Sequence, residues 1–505
     1  MLSRRSILRG GAGVALATTA AGITARAAYS ATTSEWEKLR PMLQGDVVLP
    51  TDTGYTYAKQ VILGEFDSLN PEGIVYCETP ADVATAIKFA RNNGIATRIR
   101  SGGHNLAGWS TTKGMILDVG RINHATVGTS TVKVGPGAQG VDVLTKLKPL
   151  GKQVISGTCP TVCPGGYLSG GGIGLQTRKF GIGSDRLVSA KLVLSDGSQV
   201  RASSSENADL FWALRGGGGN NFGVVTEFEV RPINAPTMVF YNTLWPYDKA
   251  LEVINAWQEW LYFGSDNLGS TLSVFLADGA AGNVPMVQIT GGYLGPQAEL
   301  ETALNELAAE AGATPTLRTV QDLPYADAMK HVYGCEQLTA EQCHRTGSNP
   351  AAQLQRVPFM RELTRLLDRP TGRKGVADLL AAFEADRRPG QARNLYFMAL
   401  GGVSKRPFRT ETAYVHRDAE FFVAMASMAF KEPTAEEAAA AMVWPTRAFS
   451  IIDPLSSGET YLNFPNGERD DWRRAYYAEN YDRLVAVKRR YDAPNFFNHP
   501  QSIGS

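Results

Sequence analysis

From Val61 to Pro232 short apolar runs alternate with stretches of helical period, the pattern of strands interleaved with helices. Ile74–Cys77 reads as a strand. Thr79 and Pro80 then supply an N-cap and a first-turn proline for an alanine-rich helix that ends near Asn93 and Gly94. Ile95–Ile99 returns as a strand whose end delivers Ser101-Gly102-Gly103-His104, which puts the histidine on a loop held by a rigid support. Thr131–Val134 is a further strand, Val141–Leu147 a helical run, and Leu192–Val200 a hairpin turning at Asp196 and Gly197.

From Asn234 to Ser457 the pattern changes. Phe240–Trp245, Ser270–Leu276, Met286–Tyr293 and Asn394–Leu400 alternate as antiparallel strands do when one face is covered. Ala250–Tyr262, Gln297–Ala311 and Arg373–Arg388 read as helices between them. A sheet backed by helices is expected, its other face roofing a pocket, and from about Leu455 the chain returns to the first domain.

Charge narrows the partners. With 50 Lys and Arg against 49 Asp and Glu, nothing electrostatic favours nucleic acid or an anionic membrane, so a small-molecule ligand is expected. At the N-terminus Ser3-Arg4-Arg5 runs into a weakly apolar Gly10–Ala25 stretch and then Ala25-Arg26-Ala27. This predicts a twin-arginine export signal over residues 1–27, a secreted or extracytoplasmic destination and no stable membrane association. Of the five cysteines, Cys335 and Cys343 flank a short polar stretch and either pair as a disulfide after export or stay free. Cys77, in an apolar run, reads as a buried small hydrophobe. The six histidines and the cysteines form no metal-ligand spacing, so no metal is expected.

Two glycine-rich segments carry the chemistry: Arg100-Ser-Gly-Gly-His-Asn-Leu106, and Gly157-Thr-Cys-Pro-Thr-Val-Cys-Pro-Gly-Gly-Tyr-Leu-Ser-Gly-Gly-Gly-Ile-Gly174. Each sets a nucleophilic side chain, His104 or Cys159, beside glycines that let backbone approach a phosphate or ring closely. A third segment, Gly135-Pro-Gly-Ala-Gln-Gly140, imitates a dinucleotide fingerprint. Pro136 removes one N–H from that cradle, and no acidic residue falls near residues 155–160 where a ribose partner belongs, so a nicotinamide-type fold is rejected.

Those two segments, with Gly216-Gly-Gly-Gly-Asn-Asn-Phe-Gly-Val-Val-Thr226, Tyr461-Leu-Asn-Phe464, Tyr476-Tyr-Ala-Glu-Asn-Tyr481 and Tyr491-Asp-Ala-Pro-Asn-Phe-Phe497, resemble the vanillyl-alcohol-oxidase/PCMH flavoprotein superfamily. The closer resemblance is to its berberine-bridge-enzyme-like oxidases, over nearly the whole chain. It implies an α+β, two-domain PCMH-type FAD-binding fold: an FAD-binding domain over 45–233, a substrate domain of antiparallel sheet backed by helices over 234–457, and a C-terminal segment, 458–505, that returns to the first domain. It also implies FAD bound covalently through His104 and Cys159. In that register Arg100, Ser101, Gly102, Gly103, Gly165, Gly166, Gly170, Gly171, Gly172 and Gly174 belong to the cofactor site, the serine and glycines bringing N–H groups to the pyrophosphate. Val225 is expected as a wall near the adenine half, Asn463 as a polar contact from the C-terminal segment, and Val162 as the residue leaving room for dioxygen at the ring.

The chain departs from the family pattern in two places. Cys163 competes with Cys159 for the attachment role, although the Pro-Thr-Val register favours Cys159. Phe464 stands where several members carry a tyrosine base, and a phenyl ring accepts no proton. Tyr461, Tyr414 and His416 are the candidates to replace it, with Arg417 as a cation able to lower a phenol's pKa. The resemblance implies an FAD-dependent oxidase, exported if the N-terminal signal is read as above, that moves a hydride from a hydroxylated or activated carbon of a small substrate, a natural product among the candidates, with dioxygen as final acceptor and hydrogen peroxide as product. A secreted carbohydrate oxidase making lactones from reducing sugars, and a redox-inactive flavin-loaded binding protein, are the alternative readings.

Overall fold

A computed structural model describes residues 31–505, and the twin-arginine segment lies outside them. The first layer is a sheet ordered Asp46–Val48, Gly73–Tyr76, Met115–Asp118, Thr97–Arg100, parallel except for its first pair. The helix Pro80–Asn92 makes the crossover. Thr79 caps it by accepting the Asp82 N–H, and the Asp82 carboxylate accepts the Thr79 N–H in return. This fixes where the next strand starts and hence where it ends, at the Ser101 loop. Below that loop the buried Arg100 guanidinium is paired with Asp118 on the neighbouring strand.

A second sheet of five antiparallel strands runs Ala125–Val127, Val132–Val134, Val224–Val230, Leu187–Val193, Gln199–Ser203. The false fingerprint follows directly on the strand Val132–Val134. Its glycine N–H groups go to the carbonyls of His124, Ile122 and Val162, which leaves them nothing to offer a phosphate.

The largest sheet has seven strands, ordered Leu317–Pro324, Thr237–Trp245, Met286–Tyr293, Leu268–Leu276, Ala392–Ala399, Phe421–Ala429, Phe359–Leu367. The helices Ala250–Tyr262, Gln297–Ala311, Gly372–Glu384 and Val443–Ile452 cover one face, and their packing on Leu272, Val274, Ile289, Leu395, Phe397 and Met425 forms the main core. Trp257 is sealed in that core at 0% exposure, its indole N–H on Ser270. Along each strand the alternate residues turn the other way. Asn242, Ser273, Gln288, Asn394, Tyr396 and Glu362 are all half-buried and form a polar face over the loops of the first domain.

Three of these strands have no counterpart in the sequence reading. Phe421–Ala429 is buried from both sides and so shows no alternation. Phe359–Leu367 carries charge at Arg361, Glu362 and Arg365, on both faces, which hides its covered side. Leu317–Pro324 is an exposed edge. The helix expected to reach Arg388 ends at Glu384, because the buried Arg393 guanidinium donates to the carbonyls of Phe383, Ala385 and Asp386 just past it.

After the helix Tyr325–Val332 the chain forms the Cys335–Cys343 disulfide and crosses back over the first domain. His344 meets Asp142 at 2.8 Å, the Arg345 guanidinium lies 4.5 Å over the Tyr57 ring, and Arg356 is bidentate to Asp67. The C-terminal helices Trp472–Tyr477 and Tyr481–Tyr491 close the same domain: Lys488 donates to the Asn221 carbonyl and to Asp492, and the Ile503 N–H to the Asn221 side chain. Among the described residues no helix is long and apolar enough to cross a membrane.

The seven-stranded sheet depends on its aromatic core for rigidity. Trp257→Ala is expected to lower stability by about 3–5 kcal/mol, read as a lower midpoint in denaturant unfolding followed by far-UV circular dichroism.

Candidate active site

The two glycine-rich loops touch. A Cβ on Gly102 would stand 2.9 Å from both the Thr161 carbonyl oxygen and the Cys163 sulfur, so only glycine allows this approach. Gly103 follows with a φ of 69°, which reverses the chain and turns His104 back toward the second loop. There the His104 Nε2 and the Thr161 Oγ1 lie 2.7 Å apart. Cys159, two positions before Thr161, is exposed at the lining of a cavity that Ser156, Gly157, Val162, Pro164 and Tyr167 share.

Cys163 is different in kind. It is 4% exposed, its S–H donates to the Gly137 carbonyl at 3.3 Å, and burial pushes its thiol far above the ordinary range. A buried, bonded thiol is a poor nucleophile, whereas Cys159 is reachable. The Cys159 thiol, although reachable from solvent, is also raised, because the surrounding protein takes the place of much of the water that would stabilise its thiolate, with the negative charge of Glu362 adding to it. His104 is pushed the other way, down to about 4, by burial and then by the Arg345 cation, so its imidazole is neutral at pH 7.

The residues fit a bound flavin nucleotide. Among the described residues the consecutive N–H groups of Ser101, Gly102, Gly103, His104 and Asn105 have no hydrogen-bond partner, and a run of free amides on a loop is an anion cradle. Gly166 belongs to the same surface: it is exposed, with open space where a side chain would stand.

The second loop corrects the expectation for the other glycines. The N–H groups of Gly165, Gly170 and Gly171 are spent on the carbonyls of Pro136, Gly166 and Leu168, that of Gly172 on the Tyr461 hydroxyl, and that of Gly174 on Thr177. These positions are glycine because neighbours crowd them: a Cβ on Gly170 would lie 2.0 Å from Asn463 and one on Gly174 2.2 Å from the Ser156 carbonyl. They build the floor and do not donate to a phosphate. Arg100 is likewise turned inward, to Asp118 and the Gln60 carbonyl. Asn463 spends its amide N–H groups on the Tyr167 carbonyl and the Tyr461 hydroxyl. Val225 is 8% exposed on an inner strand, paired with Leu192 in the core.

The three candidate bases are also accounted for. Tyr461 accepts from Gly172 at 2.8 Å and Asn463 at 2.7 Å, yet burial outweighs both and holds its phenol above the ordinary value. Tyr414 is raised by burial too, although the Arg417 guanidinium lies 5.1 Å from its ring, because that guanidinium is already bidentate to Asp185. His416 is buried with its Nδ1 2.7 Å from Glu459, which Arg409 also engages. Phe464 packs its ring 4.6 Å from Phe422.

Glu362 went unnoticed in the sequence. It stands on the polar face of the large sheet, level with Ala426 and Asn394, close enough to raise both the Cys159 thiol and the Tyr396 phenol. Its Oε1 is sealed from solvent without a partner, and burial pushes its carboxyl from 4.5 up to about 8. An acid poised there takes or gives a proton near neutrality. The only sequence signal was one carboxylate inside a mostly apolar strand, with no motif around it.

Comparison with known proteins gives the family. Residues 71–203 match the family model described as FAD binding domain, and residues 460–504 the one described as berberine and berberine like. YvdP, an uncharacterized FAD-linked oxidoreductase of Bacillus subtilis, is 31% identical over 477 residues, covering 91% of this chain and 98% of its own. A chitooligosaccharide oxidase of Gibberella zeae is 28% identical, covering 86% and 87%. Of solved structures, Physcomitrella patens BBE-like 1 superposes with a TM-score of 0.82 at 21% identity over 93% of this chain and 98% of that one. Glucooligosaccharide oxidase from Acremonium strictum, whose FAD is 6-S-cysteinyl and 8α-N1-histidyl, superposes with a TM-score of 0.78 at 22% identity over 91% and 97%. The chain belongs to the berberine-bridge-enzyme-like FAD-linked oxidoreductases of the PCMH superfamily, and it is an FAD-dependent enzyme.

The raised Glu362 carboxyl has a consequence for stability. A folded value near 8 against an ordinary 4.5 favours the folded state fully below about pH 4.5, and that contribution is lost as pH rises toward 8. Glu362→Gln, which stays neutral, is expected to melt higher than wild type at about pH 9 and together with it at about pH 4, read by differential scanning fluorimetry.

Proposed function

We propose that this enzyme is an oxidase, exported by the twin-arginine route, that takes a hydride from a hydroxyl-bearing or otherwise activated carbon of a small substrate. Its FAD is held by two bonds, through His104 and Cys159, and dioxygen leaves as hydrogen peroxide. One observation carries the reading: a neutral imidazole and a reachable thiol on two touching loops, beneath a sheet face whose only carboxyl on the cleft side, among the described residues, is Glu362. When bound, the flavin supplies the two-electron acceptor.

The chain's own residues divide the remaining work. The free amides of residues 101–105 bind the pyrophosphate. His104 and Cys159 fix the ring. Glu362, ionised, takes the proton from the substrate oxygen as the hydride leaves, the role that Phe464 has vacated. Val162, half-buried at the cavity wall, leaves space for dioxygen.

The polar roof favours a second reading, a carbohydrate oxidase. Gln288 donates to Asn242 at 2.8 Å and Ser273 to Asn394 at 2.6 Å, a neutral hydrogen-bonding band suited to a polyhydroxylated substrate, and relatives named for oligosaccharides share the fold. Peroxide release on adding oligosaccharides, and not on adding phenolic or benzylic alcohols, selects this second reading.

Acid precipitation is expected to leave the yellow colour in the protein pellet. Cys159→Ala is expected to lose one of the two flavin bonds, and Cys163→Ala to keep both, read by mass spectrometry of denatured protein; the reverse result reassigns the thiol. Glu362→Gln is expected to lower kcat/KM by about 10²–10⁴-fold. Wild-type kcat/KM should rise with pH to a plateau above about 8, and this rise should vanish in the variant.

A further inference from the structure

We infer that Thr161 is the positioning residue that readies His104 for its bond to the flavin: the Thr161 hydroxyl oxygen accepts the Nε2 proton and so fixes the tautomer whose Nδ1 carries a free lone pair. The inference rests on the covalent reading above and adds to it what prepares the ring nitrogen that reacts.

The geometry leaves one ring nitrogen open. Nε2 is taken by Thr161 at 2.7 Å, while Nδ1 has no partner among the described residues. Nδ1 is therefore the nitrogen available to carbon, and a neutral imidazole offers a lone pair there only when its single proton sits on Nε2. Thr161 is held where it must be. It is 9% exposed, and its carbonyl is the atom that would stand 2.9 Å from a Cβ on Gly102, so the backbone of the His104 loop rests on the backbone of the residue that orients His104. A threonine hydroxyl suits the task because it accepts without holding a charge, and Cys159 is two positions away on the same loop. One tripeptide, Cys159-Pro160-Thr161, thus carries one tether and aligns the other.

The step balances. Nδ1 joins the 8α methyl carbon of the flavin, one methyl C–H bond breaks, and the Nε2 proton leaves through the Thr161 hydroxyl. The flavin is left reduced by two electrons, having taken up two protons, and dioxygen then accepts both electrons and both protons as hydrogen peroxide.

Trypsin digestion of the denatured holoenzyme reads the outcome without any assay of turnover. A flavin bound at both sites links peptide 101–113, which holds His104, to peptide 153–178, which holds Cys159. Thr161→Ser is expected to give the linked pair as wild type does. Thr161→Val keeps the shape but cannot accept; its linked pair is expected to form about tenfold more slowly, the cost of one hydrogen bond to the reacting ring, with flavin retained on peptide 153–178. That retained bond reports that the ring is seated. Linked peptides forming in Thr161→Val at the wild-type rate overturn the inference. So does loss of both bonds together, which marks a general role in folding. Wild-type peptides free of flavin sink the covalent reading itself, a result distinct from either.

Discussion

The contact of Gly102 with the Thr161 carbonyl and the Cys163 sulfur is the constraint on which the site depends. It brings together two loops whose interacting side chains lie 57 residues apart in sequence, and it leaves no room for adjustment because the atoms involved are mainly backbone. Each loop is anchored from behind. Arg100 and Asp118 pin the end of one strand, and Gly165 hangs on the Pro136 carbonyl under the other loop. The positions of His104 and Cys159 are therefore set by main chain, with few soft torsions between the support and either side chain.

A single environment sets the chemistry of three different groups. The low polarity around the cleft disfavours every charged form, so it lowers the basicity of His104 and raises the Cys159 thiol and the Glu362 carboxyl. Arg345 reinforces this at His104 and Glu362 at Cys159. The large sheet contributes by rigidity. Its helix-covered face is an apolar core, so the side chains of the other face are held at fixed heights above the loops.

How much of this was legible in the chain varied with the range of the interaction. Helices with local signals, such as Pro80–Asn92 with its Thr79 cap, and strands with one dry face, such as Met286–Tyr293, follow from neighbours in sequence. Phe421–Ala429 was opaque because a strand buried on both sides loses its period, and Phe359–Leu367 because Arg361 pairs with Glu65 and Arg365 with Asp453 while Glu362, between them, stands on the opposite face. Of the site, the two loops that carry His104 and Cys159 were visible as motifs. The part played by each glycine was not: a motif shows that a side chain is excluded, and only the fold tells whether a phosphate, Asn463 or a carbonyl excludes it. Glu362 becomes recognisable only when strand register sets it against Cys159.

The closing of the FAD-binding domain by the C-terminal helices also governs when the domain is complete. Asn221 receives Lys488 and Ile503, and Trp109 stacks on His499 at 4.2 Å, so a core begun by the first half of the chain is finished by its last stretch. During synthesis that half must leave the ribosome and wait, its aromatic surface uncovered, while more than two hundred further residues are made. Cofactor capture is in this way a late event of biogenesis, and truncations near the C-terminus are faults of assembly at the opposite end of the polypeptide.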